Sequence, residues 1–205
     1  MKALVLVDVQ NDFCPGGALA VPEGDQVVPV ANRLMSHFDL VVATQDWHPP
    51  DHVSFAANQF GREPGEVIEA DGLEQTLWPV HCVEGTPGAE LHSGLDLAGV
   101  ARVFRKGSDP RVDSYSGFFD NGRRNSTGLH GYLKQRGVDE LHVCGLATNV
   151  CVRATALDAV DLGYTTYMVE DGCRGVDLEP GDVERAIDEM RQKGVRIVHS
   201  TGALE

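Results

Sequence analysis

The chain has 205 residues, with 17 Lys and Arg against 31 Asp and Glu and hence a formal charge of −14 at neutral pH. That length suits one compact domain with a sizeable core, and the acidic balance repels phosphate backbones and anionic bilayer surfaces, which disfavours nucleic acid and membranes as partners. Hydrophobic residues at 42% and charged residues at 23% lie near globular averages, which argues against a disordered, collagen-like or coiled-coil chain.

The first apolar run, 3–7, is too short for the core of a signal peptide and meets Asp8 without a small-residue cleavage site, so no leader is expected. It reads instead as a β-strand ending at Asp8. A helix is expected over 25–37, followed by a strand at 40–43 that leads into Asp46 and His48. Residues 44–100 separate that strand from the next, at 102–105, by far more than an ordinary connection, and they hold both tryptophans, Trp47 and Trp78. A second long connection, 107–124, precedes a helix over 126–136; Asn125-Ser126-Thr127 formally matches a glycosylation sequon but reads as a loop-to-helix boundary. A strand at 141–144, a helix at 150–162, a strand at 165–169, a helix at 181–193 and a strand at 195–198 complete the pattern. Six β-branched runs alternating with helical patterns predict a doubly wound α/β fold: a six-stranded, mainly parallel sheet with helices on both faces, in a single domain over 1–205. No stretch approaches the length of a membrane span.

In a parallel sheet the strand ends share one edge, and open α/β sheets bind their ligands there. The first strand ends in Asp8, the second leads to Asp46 and His48, the third delivers Lys106, and the fourth leads through Gly145 to Cys151. The five cysteines, Cys14, Cys82, Cys144, Cys151 and Cys173, form no Cys-x-x-Cys pair, and an odd, scattered set fits the reduced thiols of a cytoplasmic protein. Cys151 is expected in the first turn of its helix, where free N–H groups and the dipole favour a thiolate; Cys144, inside a strand, reads as a small buried apolar residue. A thiol attacking an amide needs a base that takes its proton and returns it to the departing nitrogen, a role open to a desolvated Asp8, with Lys106 supplying the opposing charge. Singly, Asp8 also reads as a turn carboxylate and Lys106 as an exposed strand-end cation; their convergence with Cys151 favours chemistry. Asp46 and His48, with His52 and His81 further along the same connection, could surround zinc, manganese or iron with positions open to water, although Asp-x-His also occurs on ordinary polar surfaces. Cys82, beside His81, reads as buried rather than as a ligand.

Several segments are more specific: Asp8-Val9-Gln10-Asn11-Asp12-Phe13 with Gly16-Gly17-Ala18-Leu19-Ala20-Val21, then Asp46-Trp47-His48-Pro49, Trp78-Pro79-Val80-His81-Cys82, Lys106-Gly107, Tyr115-Ser116-Gly117-Phe118 and Gly145-Leu146-Ala147-Thr148-Asn149-Val150-Cys151-Val152. In this order, over essentially the whole chain, they resemble the nicotinamidases of the isochorismatase-like cysteine hydrolase superfamily. The resemblance implies a triad of Asp8, Lys106 and Cys151 and metal ligands Asp46, His48 and His81; His52 matches a histidine that some members use at the metal and others only nearby. It further implies a cis bond before Ala147, with the amides of Ala147 and Cys151 aimed at a developing oxyanion, and a ring pocket lined by Phe13, Trp78 and Tyr115.

The implied activity is hydrolysis of nicotinamide, and of related pyridine or pyrazine carboxamides, to the acid and ammonia through a thioester. The implied cofactor is one divalent ion, zinc first and manganese or iron next, and the implied role is pyridine-nucleotide recycling. Asn149 departs from the pattern, because nicotinamidases usually carry aspartate there, and Thr-Asn-x-Cys resembles other amidohydrolases of the superfamily. Two rival readings remain: another carboxamide or ureide hydrolase lacking the metal site, and a non-catalytic metal-binding domain. Isochorismatase chemistry itself, cleavage of a vinyl ether, needs no cysteine nucleophile. Self-association and the identity of the ion are left open.

Overall fold

The structure, a computed structural model, describes residues 1–203. In chain order its elements are β1 (Lys2–Val7), α1 (Val27–Met35), β2 (Leu40–Asp46), two short strands β3 (Val67–Ala70) and β4 (Leu73–Thr76), β5 (Arg102–Lys106), α2 (Leu129–Gln135), β6 (Glu140–Leu146), α3 (Arg153–Asp161), β7 (Thr165–Arg174), α4 (Asp182–Gln192), β8 (Arg196–Val198) and α5 (Ser200–Ala203). Six strands form one sheet in the order β5-β2-β1-β6-β7-β8, and every pairing in it is parallel. Strands β1, β2 and β6 are apolar along most of their length and buried almost throughout, as central strands must be when helices cover both faces. Burial of Leu4 and of Leu6 in that core stabilises the fold by about 1.5–3 kcal/mol each.

From β1 the chain steps one way to β2, and from β5 it crosses back to β6 and continues the other way to β7 and β8. Right-handed crossovers running in opposite directions place their helices on opposite faces: α1 packs with α5, and α3 packs with α4. The order therefore reverses between β1 and β6, and the crevice beyond the carboxyl ends of those two strands is where such folds bind ligands.

Several boundaries differ from expectation for local reasons. The first helix begins at Val27 because Gly24–Gln26 forms a single 3-10 turn. The second begins at Leu129: Gly128 has φ +87, and the Ser126 and Thr127 hydroxyls accept from the N–H groups of Gly128 and Leu129, so the sequon is the expected loop-to-helix boundary. The helix expected over 150–162 is divided into a π-helical turn, Thr148–Val152, and α3. The β3–β4 hairpin inside the long 44–100 connection was not anticipated. Its two-residue turn, Asp71-Gly72, has both φ angles positive, at 52 and 82, as a tight hairpin of matching twist demands; the Asp-Gly pair is the signal that could have found it.

Candidate active site

Four adjacent strand ends deliver four polar side chains to the crevice. Asp8 follows β1, Asp46 ends β2, Lys106 ends β5 directly opposite Asp46 in the ladder, and Cys151 lies in the π-helical turn after β6. A Cβ at Gly145 would stand 2.1 Å from the Val7 carbonyl oxygen, so glycine alone lets β6 pass this close to β1 beside Asp8. The Leu146–Ala147 bond is cis.

Lys106 is buried, which removes the alternative of an exposed strand-end cation. Its ammonium donates to Asp46 Oδ1 at 2.6 Å and to the Ser114 carbonyl at 2.7 Å, pairs with Asp8 Oδ2 at 2.9 Å, and stands 3.5 Å from Cys151 Sγ. One oxygen each of Asp8 and Asp46 lies with Cys151 Sγ inside a 4.8 Å circle. The other Asp8 oxygen accepts from the Thr44 hydroxyl at 2.6 Å, which in turn accepts from the Asp8 N–H at 3.2 Å.

Burial governs the titration of this group. Desolvation pushes the Asp8 carboxyl up to about 6 against the opposing pull of Lys106. Asp46 is equally buried, yet Lys106 and the neighbouring histidines hold its carboxyl well below the ordinary range. The Cys151 thiol is driven well above its usual value by burial, with Lys106 only partly countering. Burial and the two carboxylates thus oppose the thiolate that the helix end and Lys106 favour, which gives a base that takes the thiol proton a role in the attack.

On the other side of Asp46 three imidazoles converge. His48 Nδ1 donates to the Gly107 carbonyl at 2.8 Å and His81 Nδ1 to the Pro79 carbonyl at 2.7 Å, while His52 Nδ1 is bonded to Ser54 Oγ at 2.7 Å. Carbonyls only accept, so in their neutral form His48 and His81 each present a bare Nε2 lone pair. Nε2 of His48 and of His52 is buried without a hydrogen-bonding partner. Donor atoms of Asp46, His48 and His81 fall within 4.8 Å of one another, and so do those of His48, His52 and Asp113. Imidazoles anchored through one nitrogen with the other orphaned and convergent, next to a carboxylate, form the donor set that divalent zinc, manganese or iron favours. Cys82 is buried and its thiol raised, in line with its reading as a core residue.

Between the thiol and the imidazoles lies a cavity of about 80 Å³ lined by Phe13, Trp78, Tyr115, His81, Ala147 and Cys151 among others. Trp78 Nε1 donates to the Tyr115 hydroxyl at 3.2 Å, locking the two rings together. Of the residues expected at the site, Phe13, Asp46, Trp78, His81, Tyr115, Ala147 and Cys151 line the cavity, while Asp8 and Lys106 lie against that wall from behind and His48 and His52 pack beside His81 and Asp46. Sequence reasoning missed Thr44, which holds Asp8, and Gln10, whose amide spans the N–H and C=O of Asp46 at 2.8 Å each. It also missed Asp113, which lines the cavity. The usable signal for Thr44 was a run of polar residues, Thr44-Gln45-Asp46, closing an otherwise apolar buried strand; nothing local marked Gln10.

Residues 2–202 match the isochorismatase domain family. The chain is 54% identical over 200 residues to a nicotinamidase of Escherichia coli, covering 96% of this chain and 93% of that one. Its fold superposes on a nicotinamidase/pyrazinamidase of Acinetobacter baumanii with a TM-score of 0.95 at 49% identity, covering 98% of this chain and 97% of the other. It also superposes on a pyrazinamidase of Pyrococcus horikoshii in complex with zinc, with a TM-score of 0.80 at 40% identity and coverage of 97% and 98%.

Proposed function

The chain belongs to the isochorismatase family, and from that premise we propose that it is a metal-dependent cysteine amidohydrolase converting nicotinamide to nicotinate and ammonia, with its residues 1–205 acting as one hydrolase domain. The observation that carries this reading is an aromatic-lined cavity whose wall carries the Cys151 thiol together with Asp46 and His81 of the donor set, with Lys106 against the thiol and Asp8 against Lys106 just behind that wall. An amidase that acts on a metal-binding ring needs a nucleophile and a metal donor set that face the same cavity.

In the proposed reaction the pyridine ring lies between Phe13, Trp78 and Tyr115, with its carboxamide toward Cys151. Asp8, whose raised carboxyl narrows the gap to the thiol, takes the proton from Sγ as sulfur attacks the carbonyl carbon. The amides of Ala147 and Cys151 accept the negative charge that forms on oxygen. Asp8 then returns the proton to nitrogen, the C–N bond breaks, and ammonia leaves. Water attacks the thioester with Asp8 again as base, and nicotinate is released with the thiol restored. Lys106, fixed by Asp46 and Ser114, holds Asp8 in position and balances charge through both halves. Asp46, His48 and His81, supported by His52, would hold one divalent ion, with zinc the first choice by likeness to the zinc-bound homologue. When bound, that ion supplies a positive anchor for the ring nitrogen.

The deciding experiment measures ammonia release from nicotinamide and from a panel of other carboxamides and ureides. Turnover confined to nicotinamide and close ring analogues supports the proposal; preference for a ureide or an aliphatic amide overturns the substrate, and bound metal with no turnover of any amide overturns the enzyme.

A further inference from the structure

Asn149 occupies the second position of the π-helical turn that carries Cys151. Its side chain makes two hydrogen bonds to one residue: Nδ2 donates to the Val176 carbonyl at 2.8 Å, and Oδ1 accepts from the Val176 N–H at 3.1 Å. This is the pairing a neighbouring strand would offer, supplied by a side chain just beyond the end of β7. The segment so held brings Val176 and Leu178 to the cavity wall, and neither side chain belongs to the hydrophobic core. Leu178 is 62% exposed. Core packing therefore does not position this wall; polar fastenings do, at Asn149 and at Asp177, whose carboxylate accepts from the Val183 N–H at 2.9 Å. Gly175 admits the arrangement, since a Cβ there would lie 2.5 Å from Val183 Cγ2 and 3.0 Å from Asn149 Oδ1.

We propose that Asn149 is a positioning residue that sets substrate fit, fastening the Val176–Leu178 wall to the turn that bears the nucleophile so that ring and thiol are held in one frame. The proposal rests on the amidase reading above. An amide is the group that can both donate and accept here; a carboxylate at 149 keeps only the bond from the Val176 N–H, and a methyl group keeps neither. Loss of the fastening loosens the wall that confines the ring and leaves Cys151, Asp8 and Lys106 where they are. The cost therefore falls on binding and on discrimination between ring sizes rather than on the chemical step.

The test compares the intact metal-loaded protein with Asn149→Asp and Asn149→Ala, using nicotinamide and the bulkier 5-methylnicotinamide as substrates. KM for nicotinamide is expected to rise about threefold in the aspartate variant and about tenfold in the alanine variant, with kcat held within about twofold. The preference for nicotinamide over the methylated ring should narrow in the same order. A loss confined to kcat with discrimination unchanged, or equal behaviour of the two variants, overturns the inference. Failure of the wild-type protein to release ammonia from either amide overturns the amidase reading alone. The fastening is then judged from the nicotinate dissociation constant and from hydrogen exchange at the Val176 N–H in the same three proteins, where an unchanged pair of values overturns it.

Discussion

Lys106 Nζ stands 2.6 Å from Asp46 Oδ1, a shorter contact than its 2.9 Å approach to Asp8. The ammonium expected to serve the nucleophile and its base is thus shared with a carboxylate of the candidate donor set, and the two clusters are joined through one buried cation. Removing that cation leaves two carboxylates in a dry pocket, and stranding a buried charge costs far more than the pair gains when intact.

Lys106→Met should therefore unfold more easily as well as lose activity, by about 3–5 kcal/mol in urea titration at neutral pH. Adding Asp46→Asn to it should recover part of that loss. A single variant as stable as the wild type would show that the carboxylates find other partners.

Asp8 must be ionised to accept the thiol proton, and burial has pushed its carboxyl up to about 6. The pH profile of kcat/KM should thus rise through an acid limb near 6 and flatten above it. Thr44→Val deletes a hydrogen bond that favours the ionised form, so its limb should move to higher pH. The same shift has a stability sign: a carboxyl raised in the folded state stabilises the fold at low pH, and that contribution is lost as pH rises toward about 6. A profile flat from pH 5 to 8 would remove Asp8 as the base.

Cys151→Ala should lower kcat for nicotinamide at least about 10⁴-fold while leaving nicotinate binding nearly intact, because a covalent route cannot survive loss of its nucleophile. Pre-steady-state mixing of the wild type should show one equivalent of ammonia released ahead of nicotinate if deacylation is slow. Residual turnover of the alanine variant within a hundredfold of wild type would point to direct attack by water.

Chelation should remove activity and re-addition of zinc should restore it. Elemental analysis should find the ion lost from His48→Ala and His81→Ala, and weakened about tenfold in His52→Ala, the range usual for groups supporting a metal site. A His48→Ala protein that retains a full equivalent of metal would refute the ligand set.

The six sheet strands could be read directly, because runs such as Leu4-Val5-Leu6 and Val41-Val42-Ala43 must be buried on both faces whatever surrounds them. Asp8, Asp46, Lys106 and Cys151 were legible for a related reason: parallel strands share an edge, so polar residues at strand ends meet there. The β3–β4 hairpin escaped notice because its pairing alternates weakly and its residues are mostly exposed. Gln10 escaped because its partners, Asp46 and Ala89, are 36 and 79 residues away.

By itself the amino-acid sequence determined the fold class, the order of elements and the inventory of reactive groups, since these follow from hydrophobic spacing and from what each side chain can donate or accept. Only the tertiary structure decided that Lys106 lies buried between two aspartates, that Cys151 sits buried in a π-helical turn, and that the Asn149 side chain bonds both backbone groups of Val176. Those properties depend on desolvation and on distances between segments remote along the chain, quantities that no local pattern contains.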